Sequence, residues 1–524
     1  MRTPTQDSCF KQNNNMALLG QIIKSGIDLG NRITKEQDNP AAAQQKQLKT
    51  LLQKAKGTAF GIYYDFEGLL KEEDLISAFR KAVPLHDYQR MNERWWQQQQ
   101  VNENISWPGK PAYFALSSGT TGKKSKRIPV TDDMLTAFRS VGVSQAISLS
   151  NFDLPTEVFE KEVLLLSSSA DLDEHKHGHL EGEISGINSS NLPPWFGGFY
   201  RPGKEIAAIS DWDNRVEAIA KEASNWDIGA IAGIPSWVSM LLQAIIDKHE
   251  LKTIHDIWPN LSIYLSGGVA FEPYRQTFEA LTAKPLIYMD TYLASEGFFA
   301  YTAKPGNMNM KLAIEHDIFY EFIPFDERGF DEMGNILDHP TVFSIDEVNE
   351  KEDYALIVSS PAGAWRYMIG DTIQFTDLDA MEMRISGRTK YFLNVVGSQL
   401  SEDKMNTAID EIEQKLNLDF KEYAVAALKD ENGEFYHQWI LGGQGQETNE
   451  DIAEALDEAL KALNKNYKVA RNKALKDIKV EVIDVDTIFN WLESKKKKGG
   501  QIKLPKIMKP EMMEDLLQYA KEMA

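Results

Sequence analysis

Short apolar runs alternate with amphipathic segments through the middle of the chain. Residues 112–116, 228–231, 263–265 and 286–289 are apolar stretches of strand length, and each leads into Gly, Ser or Thr. Helical spacing of apolar residues follows two of these turns, to about His249 and from Glu272. Strand, turn and helix in this order are typical of a mostly parallel α/β sheet, whose ligands bind beyond the carboxyl ends of the strands. We therefore expect the loops after these strands to converge.

The pattern differs on either side of this region. Helical spacing predicts two helices within residues 18–56, broken at Asn39-Pro40, and further helices over 72–81 and 86–99. Strand-like runs at 318–323, 354–358 and 372–375 replace the helical spacing after residue 314. They predict an antiparallel sheet or a distorted barrel.

The pattern of predicted helices and strands changes again near Ser386-Gly387. Helices are predicted at 402–416 and 450–463, with strands near 391–396, 423–428, 435–441 and 478–485. The sequence thus predicts an α/β protein in two domains. Residues 1–386 form a large N-terminal domain with mostly parallel sheets and a distorted antiparallel β-barrel, and residues 387–524 form a small, mobile α+β C-terminal domain.

Composition narrows the classes of function. The chain has 524 residues, 42% of them hydrophobic, and a formal net charge of −21. This charge disfavours nonspecific binding to nucleic acid or to an anionic membrane. Cys9 is the only cysteine, which excludes intramolecular disulfides and multi-thiolate metal sites. With no signal-like start and no apolar run of spanning length, the sequence predicts a cytoplasmic protein with neither nucleic-acid nor membrane partners.

The segment 117–126, Ser-Ser-Gly-Thr-Thr-Gly-Lys-Lys-Ser-Lys, follows an apolar strand directly. Glycine-exposed backbone N–H groups, hydroxyls and ammonium groups together suit a polyphosphate, although a polar surface loop has a similar composition. The spacing differs from that of a P-loop. The candidate phosphate-binding residues are Ser117, Ser118, Gly119, Thr120, Thr121, Gly122, Lys123 and Lys126.

Several motifs together resemble one family. Trp107-Pro-Gly, Tyr113-Phe-Ala, the loop at Ser117, Lys124-Ser-Lys and Ile128-Pro-Val resemble the plant auxin-responsive acyl-acid amido synthetases and their bacterial relatives. These belong to the adenylate-forming enzymes related to acyl-CoA synthetases and luciferase. Tyr292-Leu-Ala-Ser-Glu-Gly, Trp365-Arg-Tyr-Met-Ile-Gly-Asp and Gly387-Arg388 extend the resemblance over nearly the whole chain.

The resemblance implies ATP and Mg²⁺ as cofactors and two small-molecule substrates. A carboxylic acid would be activated to acyl-AMP with release of pyrophosphate, and the acyl group would pass to the amine of an amino acid. Transfer to coenzyme A is the alternative within the same chemistry. A regulatory protein that binds nucleotide without turnover is the alternative from another class.

The same resemblance assigns roles in the large domain. Glu296, beside Ser295, would hold Mg²⁺, although a glutamate before a glycine can also be a helix cap or a surface acid. Asp371 would bind the ribose hydroxyls, although an aspartate after a glycine can also be a plain turn residue. Tyr292 would stack on adenine, unless it is a core residue. Gly267 and Gly268 would let the backbone approach the ligand, but a tight strand-to-helix turn has the same sequence. Thr121 and Glu296 are the catalytic candidates here.

The C-terminal part contributes cations. Arg388 lies at the expected hinge, where it either reaches nucleotide or is simply exposed. In Gly499-Gly-Gln-Ile-Lys-Leu-Pro-Lys the resemblance places a lysine that enters the active site during adenylation. Lys503 is the candidate, and Lys506 remains open.

Three other features of the sequence each allow a structural explanation as well as a functional one. His175, His177 and His179 alternate and share a face if extended, where a metal could bind, but their polar, glycine-containing surroundings favour a solvated loop. No Gly-x-Ser-x-Gly elbow encloses Ser117 or Ser118, which argues against hydrolase chemistry. Apolar residues within 182–199 suit an acyl pocket or a packed loop equally.

Overall fold

The computed structural model describes residues 39–117, 126–192, 197–268, 271–330, 335–389, 400, 402–431, 434–444, 447–464, 467–468, 471, 475–495 and 504–523. Several sequence predictions lie outside these residues. They are the first helix before Asn39, the strand near 391–396, the phosphate-loop residues Ser118, Gly119, Thr120, Thr121, Gly122 and Lys123, and Lys503.

Helices cover the first part of the described chain and flank the sheets. The first begins where the Asn39 side chain accepts a hydrogen bond from the backbone N of Ala42, with proline in the first turn. Leu48, Leu51 and Leu52 form its buried face. The α-helices are Pro40–Ala55, Ala59–Tyr63, Phe66–Leu69, Leu75–Ala82, Tyr88–Met91, Gln97–Gln99, Asp132–Ser148, Ile184–Ser190, Lys204–Ala207, Trp212–Glu222, Pro235–Lys248, Arg275–Leu281, Glu402–Leu416, Asn449–Leu463, Val485–Ser494 and Pro510–Met523.

A π-helical turn, Asn92–Trp96, joins two of these helices into the single helical segment that the sequence predicts over 86–99. Short 3₁₀ turns are found at Leu149–Asn151, Thr156–Glu160, Ala223–Asn225, Ile254–Asp256 and Glu272–Tyr274. None of the helices in the described ranges combines the length and apolar character needed to cross a bilayer.

The strands form three sheets within the described residues. In chain order they are β1 Tyr113–Ser117, β2 Lys126–Val130, β3 Glu162–Leu166, β4 Asp173–Glu174, β5 Leu180–Gly182, β6 Tyr200–Arg201, β7 Ile228–Gly233, β8 Ile263–Gly267, β9 Ile287–Ala294, β10 Gly297–Tyr301, β11 Met310–Leu312, β12 Phe319–Pro324, β13 Asp353–Ser360, β14 Ala364–Asp377, β15 Glu382–Arg388, β16 Asp419–Lys429, β17 Phe435–Gln444 and β18 Leu475–Ile483. The sheet orders are β2-β1-β5-β4, β12-β13-β14-β15-β11-β10-β9-β8-β7-β3-β6 and β16-β17-β18.

The eleven-stranded sheet has a parallel part and an antiparallel part. Strands β6, β3, β7, β8 and β9 pair in parallel, whereas β9 pairs with β10 antiparallel and the remaining strands continue in antiparallel order. The carboxyl ends of β7, β8 and β9 therefore share one edge. This arrangement confirms the predicted α/β class with parallel and antiparallel portions.

An aromatic cluster joins the N-terminal helices to β14. The Trp365 ring packs 4.8 Å from Phe66, 5.7 Å from Phe60 and 6.0 Å from Trp107, measured between centroids. Its indole N–H donates to the Ser106 carbonyl at 2.9 Å. The N-terminal helices thus fix the start of the strand that carries Asp371.

The residues after position 399 form their own apolar clusters. One surrounds Trp439 and Leu456, and the other surrounds Ile440 and Trp491, and neither includes a described residue from the first 399. The helices Val485–Ser494 and Pro510–Met523, which the sequence analysis did not predict, pack on the second cluster. The division at residue 386 remains a prediction.

Three local expectations need correction. Asp371 lies inside β14 rather than at a turn, because Gly370 adopts a φ of 98° and a register shift follows at Thr372, which together bend a continuous strand. Tyr292 lies within β9 rather than in the loop after it. His179 is buried rather than solvated, since it packs against Phe114 at a centroid distance of 4.5 Å.

A buried ion-pair network supports the antiparallel part. Arg366 Nε and Arg80 Nε approach the two oxygens of Glu321 at 2.9 and 3.0 Å, and both Glu321 and Arg366 are nearly inaccessible. We expect Glu321→Gln to lower the free energy of unfolding by about 3–5 kcal/mol, because it leaves buried guanidinium charge unpaired. Urea unfolding measures the change.

The exposed Lys415–Glu458 pair, at 3.7 Å, provides the control. Lys415→Met should cost less than about 1 kcal/mol. Equal urea midpoints for Glu321→Gln and the unmodified chain would contradict the importance of the buried network.

Candidate active site

Glu296 lies in the turn between β9 and β10, at the edge where the parallel strands end. Ser295 and Glu296 form this turn, and their exposed fractions are 7% and 6%. The Ser360 hydroxyl, at the end of β13, donates to the Glu296 carbonyl at 3.0 Å. The turn is therefore held from the antiparallel part of the sheet as well as by its own strands.

The charge state of Glu296 depends on residues distant in sequence. Burial raises the pKa of its carboxyl, the Lys126 ammonium opposes this shift, and the Asp371 carboxylate adds to it. Lys126, at the end of the segment 117–126, and Asp371 thus both act on the charge of Glu296. The convergence of these three residues into one nucleotide site remains a prediction.

Both oxygens of Asp371 have partners. The Tyr292 hydroxyl donates to Oδ2 at 2.6 Å, and Arg388 Nε lies 2.9 Å from Oδ1. The backbone positions of Asp371 and Arg388 are opposite one another in the β14–β15 register. The Arg388 side chain is 54% exposed whereas that of Asp371 is 8% exposed, so the arginine faces solvent on one side of this ion pair and the acid is shielded.

Tyr292 is a core residue in this structure. Its ring lies 5.0 Å from that of Phe299, and burial, followed by the charge of Asp371, raises the pKa of its hydroxyl. This geometry favours a role in orienting Asp371 over the expected stacking on adenine. The ring thus packs in the core, while the hydroxyl contacts Asp371.

The two described ends of the candidate phosphate loop are paired. Ser117 ends β1 and Lys126 begins β2, and these two residues are register partners. Lys126 Nζ lies 5.5 Å from the centroid of the Tyr88 ring, whose hydroxyl accepts a hydrogen bond from the backbone N of Arg127 at 2.9 Å. The hairpin thus fixes where the loop leaves and re-enters the sheet.

Glycines at the end of β8 leave little room for side chains. A Cβ on Gly267 would lie 2.9 Å from Thr291 Oγ1, a hydroxyl that donates to the Ser266 carbonyl at 2.8 Å. Gly268 has a φ of 82°, in the left-handed region that favours glycine. Gly268 is therefore favoured by its backbone conformation, and Gly267 by the closeness of the Thr291 side chain.

Sequence analysis missed two ionisable groups at this edge. The Tyr367 hydroxyl is buried beside Glu296, and burial and then the Glu296 charge raise its pKa. Asp290 is the register partner of Ser266, and burial raises the pKa of its carboxyl to about 7. A carboxyl that titrates near neutrality can accept a proton from a substrate. Tyr367 stands within a quoted motif, but no sequence signal marked Asp290.

Lys506 is bound at a contact between the two parts of the chain. Its Nζ lies 2.8 Å from Oε2 of Glu422 and 4.3 Å from the centroid of the Tyr423 ring. The hydroxyl of Tyr274, from the large part, donates to Oε1 of the same Glu422 at 2.8 Å. Lys506 therefore shares its carboxylate partner, Glu422, with Tyr274 of the large part.

The buried carboxyl of Glu296 should reduce stability at neutral pH. Its folded-state pKa lies above the unfolded value of 4.5, so stability is lost as pH rises from the unfolded pKa through the folded pKa. We expect Glu296→Gln to be more stable than the unmodified chain, with a gain that is larger at pH 8 than at pH 5. Thermal unfolding in EDTA measures this, and the exposed Glu157→Gln should show no gain; a pH-independent difference for Glu296→Gln would contradict the assignment.

Solved structures with this architecture include two ligases. GH3.15 acyl acid amido synthetase has a TM-score of 0.72 at 15% identity, covering 99% of this chain and 97% of that chain. 2-Hydroxyisobutyryl-CoA ligase in the postadenylation state, in complex with 2-HIB-AMP, has a TM-score of 0.53 at 10% identity over 92% of both chains. At these identities the likeness establishes the fold.

Curated plant proteins are similar in sequence. Indole-3-acetic acid-amido synthetase GH3.2 of Arabidopsis thaliana is 24% identical over 238 residues, which are 42% of this chain and 42% of that protein. The probable indole-3-acetic acid-amido synthetase GH3.9 of Oryza sativa subsp. japonica is 21% identical over 288 residues, which are 50% of this chain and 63% of that protein. The matched stretch is about half the length of these relatives.

Family sequence models cover most of the chain. The GH3 family N-terminal domain matches residues 30–215, the central domain residues 312–388 and the C-terminal domain residues 403–512. These matches confirm the resemblance found in the motifs, and the chain belongs to the GH3 family.

Proposed function

We propose that this protein is an ATP-dependent ligase that activates a carboxylic acid as acyl-AMP and transfers the acyl group to the amine of an amino acid. The observation that carries the proposal is the buried Glu296 carboxyl, whose pKa is influenced by the charges of both Lys126 and Asp371. A cation suits phosphate, one carboxylate suits a metal ion and a second suits the ribose hydroxyls. The names of its relatives, which are amido synthetases, support the same activity.

The first step makes a poor acyl donor into a good one. A substrate carboxylate oxygen attacks the α-phosphorus of ATP, the bond from that phosphorus to the bridging oxygen breaks, and pyrophosphate leaves with the bonding electrons. Lys126 and the segment 117–126, including Thr121, would stabilise the charge that moves onto pyrophosphate. No covalent bond to the enzyme is needed.

Glu296 fits a role in holding Mg²⁺. Its carboxyl is buried and its pKa is raised by that burial, so a divalent cation beside it would offset the cost of its charge. Mg²⁺ keeps several water ligands and needs one or two carboxylates together with phosphate oxygens. When bound, the ion neutralises charge on the phosphates.

Asp371 would bind the ribose. Its carboxylate is oriented by the Tyr292 hydroxyl, which leaves the oxygen now beside Arg388 available for ribose hydroxyls when the exposed arginine moves. Arg388 would then reach ribose or phosphate. Gly267 and Gly268 would allow backbone contact with the nucleotide.

The second step forms the amide. An uncharged amine attacks the acyl carbon, and AMP leaves as the carbon–oxygen bond breaks. Asp290 is suited to take the proton from the incoming ammonium, because its pKa of about 7 allows both charge states at neutral pH. Residues 387–524 would rotate between the two steps. Because the sequence has a single cysteine, Cys9, and so no intramolecular disulfide, we propose that the protein is cytoplasmic.

Product analysis separates the candidate functions. The protein is mixed with ATP, Mg²⁺ and a panel of aromatic and aliphatic acids, with amino acids, with coenzyme A or with neither. We expect acid-dependent pyrophosphate release, and an amide mass only with an amino acid. A thioester mass would assign the acyl-CoA ligase instead, and absence of pyrophosphate across the panel would favour a nucleotide-binding regulatory protein.

The lysines near the C-terminus can be distinguished. Since Lys506 is bound to Glu422, we propose Lys503 as the lysine that enters the site during adenylation. Lys503→Ala should reduce the rate of pyrophosphate formation by 10²-fold or more while changing the Kd of ATP little, because its charge is needed as the transition state forms.

Lys506→Ala is the matched control. It should keep pyrophosphate formation within about tenfold of the unmodified enzyme, because its described contacts are with Glu422 and Tyr423 rather than with Glu296. A large loss for Lys506→Ala with normal turnover for Lys503→Ala would reverse the assignment.

A further inference from the structure

A group of histidines and one carboxylate lies on the four-stranded sheet, outside the candidate active site. A ring nitrogen of His175, a ring nitrogen of His179 and a carboxylate oxygen of Glu181 all lie within 4.8 Å of one another. His175 follows β4 and His179 precedes β5, and the backbone N of His175 donates to the His179 carbonyl at 2.8 Å. The tight turn between the strands thus holds the two rings together.

The partners of Glu181 define the tautomer of His179. Glu181 Oε1 lies 2.9 Å from His179 Nε2, and a carboxylate only accepts hydrogen bonds, so Nε2 carries the proton. Arg127 donates to both oxygens of Glu181, at 2.7 and 3.1 Å, and so keeps the carboxylate charged and fixed in place. His179 Nδ1 is therefore left with an unprotonated lone pair.

That lone pair accepts no hydrogen bond from the described part of the chain. The His179 side chain has no exposed surface, and its Nδ1 has no hydrogen-bond partner among the residues described. Leaving a buried acceptor unpaired costs free energy. The His175 ring stacks on it at a centroid distance of 4.5 Å and an angle of 20°. A second imidazole and a free buried nitrogen are thus side by side.

We propose that His175 and His179 bind a first-row transition metal ion such as Zn²⁺. Glu181 acts as the carboxylate that orients His179 through its other ring nitrogen, an arrangement that recurs at protein metal sites. Imidazole nitrogen favours Zn²⁺, Ni²⁺ or Cu²⁺ over Mg²⁺ and Ca²⁺, which prefer oxygen. Because Glu181 is already paired with Arg127, water completes the coordination.

The location gives the ion a structural role. β5 pairs with β1, and Arg127, the partner of Glu181, lies on β2 next to Lys126. Strands β1 and β2 are the two strands that hold the segment 117–126. A metal between His175 and His179 would stiffen this hairpin, and it would be separate from the Mg²⁺ proposed at Glu296.

Metal titration tests the proposal. The full chain, made without a histidine tag and stripped with EDTA, is titrated with ZnCl₂ by calorimetry, and Co²⁺ absorption reports the ligand set. We expect one Zn²⁺ per chain and a higher thermal unfolding temperature with Zn²⁺. His175→Gln and His179→Gln should weaken Zn²⁺ binding at least tenfold, and Glu181→Gln should weaken it 10- to 100-fold.

His177→Gln is the matched control. It lies in the same turn but outside the group of three, so it should bind Zn²⁺ as the unmodified chain does. His175 is only half-buried, so its variant reports binding even if His179→Gln does not fold. Failure of the unmodified chain to bind Zn²⁺, or equal binding by His175→Gln, would overturn the proposal, and so would an equal loss in His177→Gln.

Discussion

The pairing of β14 with β15 is the constraint on which the candidate active site depends. It sets Arg388 opposite Asp371 and, through the bend at Gly370, turns the Asp371 carboxylate towards Tyr292 on β9. The start of β14 is fixed by the buried Trp365 ring. The residue that follows Trp365, Arg366, forms an ion pair with Glu321. The position of one ribose-binding candidate thus follows from packing several residues away from it.

Burial at the strand edge explains why these side chains suit chemistry with charged substrates. Glu296 is nearly inaccessible and close to a second acid, with Lys126 as the opposing charge. Such an arrangement is costly in the free protein and is stabilised by ligands that carry additional positive charge or hydrogen-bond donors. The candidate site would therefore hold its groups in place in the absence of ligand, at some expense of stability.

The sequence predicted more of the sheet than of the site. Apolar runs ending at glycine or serine identified β7, β8 and the start of β9, because buried parallel strands need continuous hydrophobic residues. It placed Asp371 at a turn because Gly370 is a turn signal, although a glycine can also bend a strand. Asp290 was not found, since its burial depends on contacts between strands that local patterns do not report.

The burial of His179 is a second feature that local sequence did not predict. Polar neighbours favoured a solvated loop at 175–179, and this holds for the exposed backbone between the two strands. His179 is nevertheless buried, because β5 pairs with β1 and brings it against Phe114. A short polar segment can carry an inward-facing side chain when the strand after it joins a sheet formed by distant residues.

Glu422 accepts one hydrogen bond from Tyr274 and one from Lys506. Lys506 and Glu422 both lie after residue 399, so it is the Tyr274 hydroxyl that links the large part to this carboxylate. Turning the C-terminal part would break the bond to Tyr274 but would carry the Lys506–Glu422 pair along intact. The charge of Glu422 would therefore stay paired at every angle, and this contact would oppose rotation by a single hydrogen bond.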